Sequence, residues 1–155
     1  MTPLFKKLNL NNQEKILVLN PPECCDKELS TLKGIKILRR ASAKTAVAFS
    51  IGFATTCAER DEVSAKLARS AEGDATVWIA YPKGTSKRYR CEFNRDSEWS
   101  VLGAAGFEPV RQVAIDEDWS ALRFRRSQHI KSMTREPSMA ISKEGKRRTT
   151  KRARG

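Results

Sequence analysis

The stretch that decides the fold opens with Thr76-Val77-Trp78-Ile79-Ala80-Tyr81 and the loop Pro82-Lys83-Gly84. It closes with Pro109 to Ile115, the turn Asp116-Glu117-Asp118-Trp119-Ser120, and Ala121-Leu122-Arg123-Phe124-Arg125. The first run carries no charge and is rich in β-branched and aromatic residues, which predicts a strand covered on both faces. The last two runs also read as strands, and only the five residues Asp116 to Ser120 separate them. That length closes a hairpin and leaves no room for a crossover helix.

Toward the amino terminus, Lys15-Ile16-Leu17-Val18-Leu19 is another apolar run, stopped by Asn20-Pro21-Pro22. Ile35 to Leu38 gives a second strand and Thr45 to Ile51 a third. Asp26 to Leu32 reads as a short helix closed by Gly34. Thr56-Cys57-Ala58-Glu59 matches a capping box, in which the threonine hydroxyl and the glutamate carboxylate each accept a backbone N–H of the other residue. Behind it Val63, Leu67 and Ala71 share one helical face, Glu62 and Lys66 pair at i,i+4, and Gly73 supplies a stop. A last helix, about Arg95 to Ala105, starts from Asn94 or Asp96, turns Trp99, Leu102 and Ala105 inward and ends at Gly106. Strands alternating with crossover helices predict one α/β layered domain over about residues 1–126. A small, mostly parallel sheet finishing in an antiparallel hairpin is a shortened methyltransferase-like variant of the Rossmann architecture.

Three segments carry a family resemblance: Lys15 to Pro22, Val77 to Lys83, and above all Ala114-Ile115-Asp116-Glu117-Asp118-Trp119-Ser120-Ala121-Leu122-Arg123-Phe124. They resemble the bacterial family catalogued as domain of unknown function 3052, over roughly Leu8 to Arg126. The resemblance implies this fold and an intracellular location. It brings no catalytic residues, since the family has none assigned.

The net charge of +12 over 155 residues is unevenly spread. Residues 1–125 hold 20 Lys/Arg against 16 Asp/Glu, whereas residues 126–155 hold 10 against 2. With few apolar side chains in residues 127–155, that segment cannot bury enough surface to offset its ordering entropy and reads as a disordered basic tail. Lys146, Arg147, Arg148, Lys151, Arg152 and Arg154 in it are candidate nucleic-acid contacts, because clustered cations release counterions on meeting a polyphosphate. The tail has no aromatic residue to stack on bases, so such binding is expected to be nonspecific. Its alternative role is only to solubilise.

No apolar run is long enough to cross a bilayer, and Met1 to Lys7 is followed by polar residues instead of a signal-peptide core. A cytoplasmic protein without membrane contact is expected. Cys24, Cys25, Cys57 and Cys91 show neither Cys-x-x-Cys spacing nor a histidine partner, so no metal site is expected. The adjacent Cys24-Cys25 pair would form only a strained disulfide. His129 is the single histidine and falls in the tail, which removes a histidine base from the domain and with it Ser-His-Asp or Cys-His catalysis.

Five residues are candidate ligand contacts: Asn20, Tyr81, Lys83, Asp116 and Asp118. Asn20-Pro21-Pro22 is similar to the catalytic loop of amino-group methyltransferases, but follows the first strand and lacks the aromatic fourth residue. With two prolines and no glycine it is read as a rigid loop, and no cofactor is expected. Tyr81 and Lys83 lie at the carboxyl end of a strand, where α/β sheets hold ligands, and Lys87, Arg88 and Arg90 nearby would receive a phosphate or carboxylate. The plainer reading of that loop is a solvated basic surface. Asp116 and Asp118 would ligate a cation or serve as acid and base, dock the basic tail, or form a solvated turn. Without a catalytic constellation, the expected function is a non-enzymatic binding or accessory protein whose tail adds nucleic-acid affinity. The alternative is a small-molecule-binding or cryptic group-transfer enzyme of methyltransferase-like fold.

Overall fold

A computed structural model describes residues 3–11 and 13–130. The tail candidates from Lys146 to Arg154 lie outside the described residues. The elements are α1 (Pro3–Lys7), β1 (Lys15–Leu19), α2 (Glu23–Ser30), β2 (Lys36–Leu38), β3 (Val47–Phe53), α3 (Cys57–Ser70), β4 (Ala71–Pro82), α4 (Ser100–Ala104), β5 (Phe107–Ala114) and β6 (Trp119–Arg126). The strands form one sheet in the order β2-β1-β3-β4-β6-β5. β1 to β4 are parallel, while β6 runs antiparallel between β4 and β5. The sheet is therefore mostly parallel and ends in the hairpin that the Asp116 to Ser120 connection predicts.

Alternation along the strands divides the core into two clusters. Leu17, Leu19, Val77, Ile79, Leu122 and Phe124 face α3 and α4, where Val63, Leu67 and Leu102 meet them. Ile16, Val18, Phe49, Ile51, Phe53 and Trp78 face the other way, onto Phe5, Leu8 and Leu10 around α1 and Cys25 and Leu29 of α2. Trp78 is fully buried, and its indole N–H donates to the Leu8 carbonyl at 2.8 Å. α3 lies close against β3 because residue 52 is glycine. A methyl group at Gly52 would collide with Val63 Cγ1.

Several elements differ from the sequence reading. The last helix is only Ser100–Ala104, since Asn94 Oδ1 accepts Asp96 N–H at 2.8 Å and the Ser97 amide bonds the Asn94 carbonyl at 3.1 Å. Such a turn competes with helix initiation. Ala105 consequently points outward, while Trp99, Leu102 and Gly103 are buried. α3 ends at Ser70 instead of Gly73 because Ala71 is already extended and begins β4. α1 is an addition, and α2 starts at Glu23, directly after Pro22.

Candidate functional site

The strand order reverses between β1 and β3: the chain passes from β1 outward to β2 and returns to the opposite side of β1. In open α/β sheets the crevice at such a switch point, outside the carboxyl ends of the strands, is the usual ligand site. Asn20 stands there. It adopts φ 55°, a left-handed conformation that asparagine tolerates better than most residues, and its side-chain amide donates to the Phe53 carbonyl at the end of β3, 3.5 Å away. Next to it, the pairing of Leu17 with Leu38 puts Arg40 level with Leu19. Arg39 and Arg40 therefore border the first turn, and both are exposed. Arg39 bonds Asp26 in the first turn of α2 at 2.8 Å.

The chain after β4 lies along the same edge and is pinned at both ends. At one end the Lys83 amide donates to the Asp118 carbonyl at 2.7 Å, and the Ser86 hydroxyl donates to Asp118 Oδ1 at 2.7 Å. At the other end the Glu92 amide donates to the Thr55 carbonyl at 3.0 Å, and Glu92 Oε1 accepts the Cys57 amide at 2.8 Å. Between these points Tyr89 packs on Trp119, with ring centroids 5.1 Å apart. Trp119 in turn meets Phe53 edge-on at 5.4 Å. Lys87, Arg88 and Arg90 of this segment are exposed.

Four of the five candidate residues, Asn20, Lys83, Asp116 and Asp118, fall on the carboxyl edge, but not at one point. Asn20 is at the β1–β3 crevice; Lys83 and Asp118 meet each other where β4 ends and β6 begins. Two strand spacings, roughly 10 Å, separate the two places. Tyr81 is directed into the core at 3% exposure, against Phe93 and Trp99. Its hydroxyl accepts from Gln112 Nε2 at 3.0 Å, and burial pushes the phenol up to about 12. Asp116 shapes the hairpin turn, its Oδ1 accepting the amides of Asp118 and Trp119 at 2.8 Å each. Asp118 is buried and holds the loop through Ser86, while Glu117 between them is exposed. Among the described residues no group of three His, Cys, Asp or Glu is placed to hold a metal ion.

Arg39 and Arg40 are the residues that sequence reasoning missed. Two consecutive cations immediately after the second strand were the available signal. Away from this edge, an apolar void of about 10 Å³ between α1, α2 and the sheet, lined by Phe5, Leu8, Cys25 and Ile51 among others, has room for at most one water and no polar group to hold it. A recess of about 320 Å³ opens at the opposite edge, among Asn11, Gln13, Glu14, Lys33 and Ile35.

No family model and no curated protein matches the chain. Solved structures do. N-methyltransferase NodS from Bradyrhizobium japonicum WM9 aligns with a TM-score of 0.52 at 10% identity, over 79% of this chain and 92% of NodS. A TehB-like SAM-dependent methyltransferase from Corynebacterium glutamicum gives 0.50 at 12% identity, over 80% and 85%. The pyocyanin biosynthetic protein PhzM gives 0.50 at 10%, over 80% of this chain and 54% of its own, so the chain spans about half the length of PhzM. The fold is the Rossmann-like methyltransferase fold. These matches correct the expectation of a non-enzymatic accessory protein, because the architecture is one that group-transfer enzymes use and the alternative reading accords with it. No helix among the described residues is long and apolar enough to cross a membrane.

Proposed function

We propose that this chain is a small-molecule-binding, group-transfer domain of methyltransferase-like type, with its ligand at the carboxyl edge over the β1–β3 crevice. The observation that carries the reading is the strand order, which places a switch point at Asn20 in a fold shared with methyltransferases.

S-adenosylmethionine is the cofactor this kinship implies, and the residues at the crevice argue against its usual pose. In dinucleotide-binding Rossmann sites a glycine turn lets backbone amides reach the ligand, and an acid about 20 residues on takes the ribose. Here Pro21 and Pro22 have no N–H, the Asn20 side-chain amide is engaged with the Phe53 carbonyl, and the second strand runs into Arg39 and Arg40. That donor set does not fit a cationic nucleoside cofactor held in this way. It fits an anion. Arg40 is exposed and has no acidic partner among the described residues, and Lys83, Lys87, Arg88 and Arg90 add positive charge along the same edge. Guanidinium groups bind phosphate oxygens in pairs, and the roughly 10 Å from Asn20 to Lys83 suits a ligand of nucleotide size. A phosphorylated small molecule is the substrate class this edge favours.

Thermal denaturation with saturating ligand tests the reading, since a ligand bound only by the native state raises the melting temperature. A nucleoside diphosphate at about 100 times its Kd should add about 2.7 kcal/mol. Arg40→Ala should remove most of that shift and leave the unliganded melting temperature unchanged. A shift with S-adenosylmethionine and none with the diphosphate would overturn the anionic assignment. No shift with either would overturn the site.

A further inference from the structure

We propose that Cys57 and Cys91 form a reversible disulfide that ties the segment after β4 to the start of α3. Both are free thiols, half-buried, and packed against the same apolar cluster. The Glu92 amide bond to the Thr55 carbonyl at 3.0 Å sets residues 91–93 beside residues 55–57. Cys57 Sγ lies 4.0 Å from the Glu92 carbonyl oxygen, one residue from Cys91, and the Cys57 amide is held by the Glu92 carboxylate at 2.8 Å. Backbones held side by side in this way run about 5 Å apart, a separation that a disulfide spans.

The surroundings bear on which thiol reacts and when. Burial above all pushes the Cys91 thiol up, the Cys57 sulfur and the Glu92 carboxylate push in the same direction, and the Phe93 amide and Arg60 oppose them. The Arg60 guanidinium is fixed 5.4 Å over the Phe93 ring and 5.9 Å over Trp99, so it is a standing cation beside the pair. Cys25 of α2 belongs to the opposite face of the sheet, in the cluster with Phe5 and Leu29, and takes no part.

With glutathione disulfide as oxidant the step balances. One protein thiolate attacks a sulfur of glutathione disulfide, forming a mixed disulfide and releasing one glutathione thiolate. The second protein thiolate then attacks the protein sulfur of that mixed disulfide, the Cys57–Cys91 bond forms and a second glutathione thiolate leaves. The two protein thiol protons end on the two glutathiones. The protein is oxidised by two electrons and one glutathione disulfide is reduced. The bridge would fasten the loop carrying Lys83 to Arg90 at its far end, and it stands independently of whichever ligand that edge takes.

The test uses the full chain, oxidised with glutathione disulfide at neutral pH in its folded state, then alkylated and digested with trypsin without reduction. Cleavage after Lys44, Arg60, Arg90 and Arg95 releases Thr45 to Arg60 and Cys91 to Arg95, and the expected product is these two peptides joined. The melting temperature should rise on oxidation and return on adding dithiothreitol, while the same oxidation in denaturant should scramble the pairing. Cys57→Ala should abolish the joined peptide and the rise. Recovery of Cys57 and Cys91 as separate glutathione adducts or separate alkylated thiols, or joined to Cys24 or Cys25, overturns the proposal.

Discussion

Trp78 shows how one side chain fixes a position in the fold. It sits in the middle of β4, is fully buried, and its indole N–H reaches back to the Leu8 carbonyl at 2.8 Å, joining the sheet to the turn after α1. Truncation to alanine removes the buried ring and leaves that carbonyl without its donor, so Trp78→Ala should cost about 3–5 kcal/mol in urea denaturation. A loss under about 1 kcal/mol would mean that the ring packs against little. Its burial was legible in the sequence, because an uncharged run of β-branched and aromatic residues has no other stable environment. Gly52 was not. Nothing in its neighbours reveals that Val63, eleven positions on, occupies the space where a side chain would go. Arg39 and Arg40 likewise read as ordinary surface until strand pairing sets them beside the first turn.

α3 is the element whose local code and structure agree best. The Thr56 hydroxyl accepts the Glu59 amide at 3.1 Å, and Glu59 Oε1 accepts from Thr55 N at 3.0 Å, Thr55 Oγ1 at 2.8 Å and Thr56 N at 3.2 Å. The Thr55 hydroxyl, followed by the Thr55 amide, holds the Glu59 carboxyl below its ordinary value. A carboxylate depressed in the folded state contributes stability that is complete above the unfolded pKa and lost as pH falls through the folded one. Glu59→Ala should therefore cost about 1 kcal/mol at neutral pH, and the gap between wild type and variant should close in acid. A gap independent of pH would show that the ionised carboxylate is not what caps the helix. α1 and α4 were the elements that sequence reasoning missed or oversized. A five-residue helix has no local code to speak of, and α1 is held by distant partners, Lys7 Nζ donating to the Ala114 carbonyl at 2.9 Å and Leu8 accepting from Trp78. α4 was overextended because Asn94 and Asp96 look like caps, whereas Asn94 makes a free-standing turn.

For the whole molecule, the mostly parallel sheet with its closing hairpin followed from strand spacing and from the shortness of the Asp116 to Ser120 connection. The site followed only in part. Placing Asn20, Lys83 and Asp116 just after the carboxyl ends of strands, with Asp118 in the same turn as Asp116, needs no more than the order of elements. Recognising that the segment from Lys83 to Glu92 is tied to Asp118 at one end and to Thr55 and Cys57 at the other needs the contacts themselves. The non-enzymatic reading failed for a related reason: the absence of a histidine base and of a glycine turn excludes particular chemistries but says nothing against the architecture. Ligand binding at the carboxyl edge can be followed residue by residue, by amide chemical-shift mapping with a titrated nucleoside diphosphate. Saturable shifts are expected at Asn20, Arg40, Thr55 and the amides from Lys83 to Glu92. Shifts confined to Gln13, Glu14 and Lys33 to Ile35, around the 320 Å³ recess at the opposite edge, would contradict it.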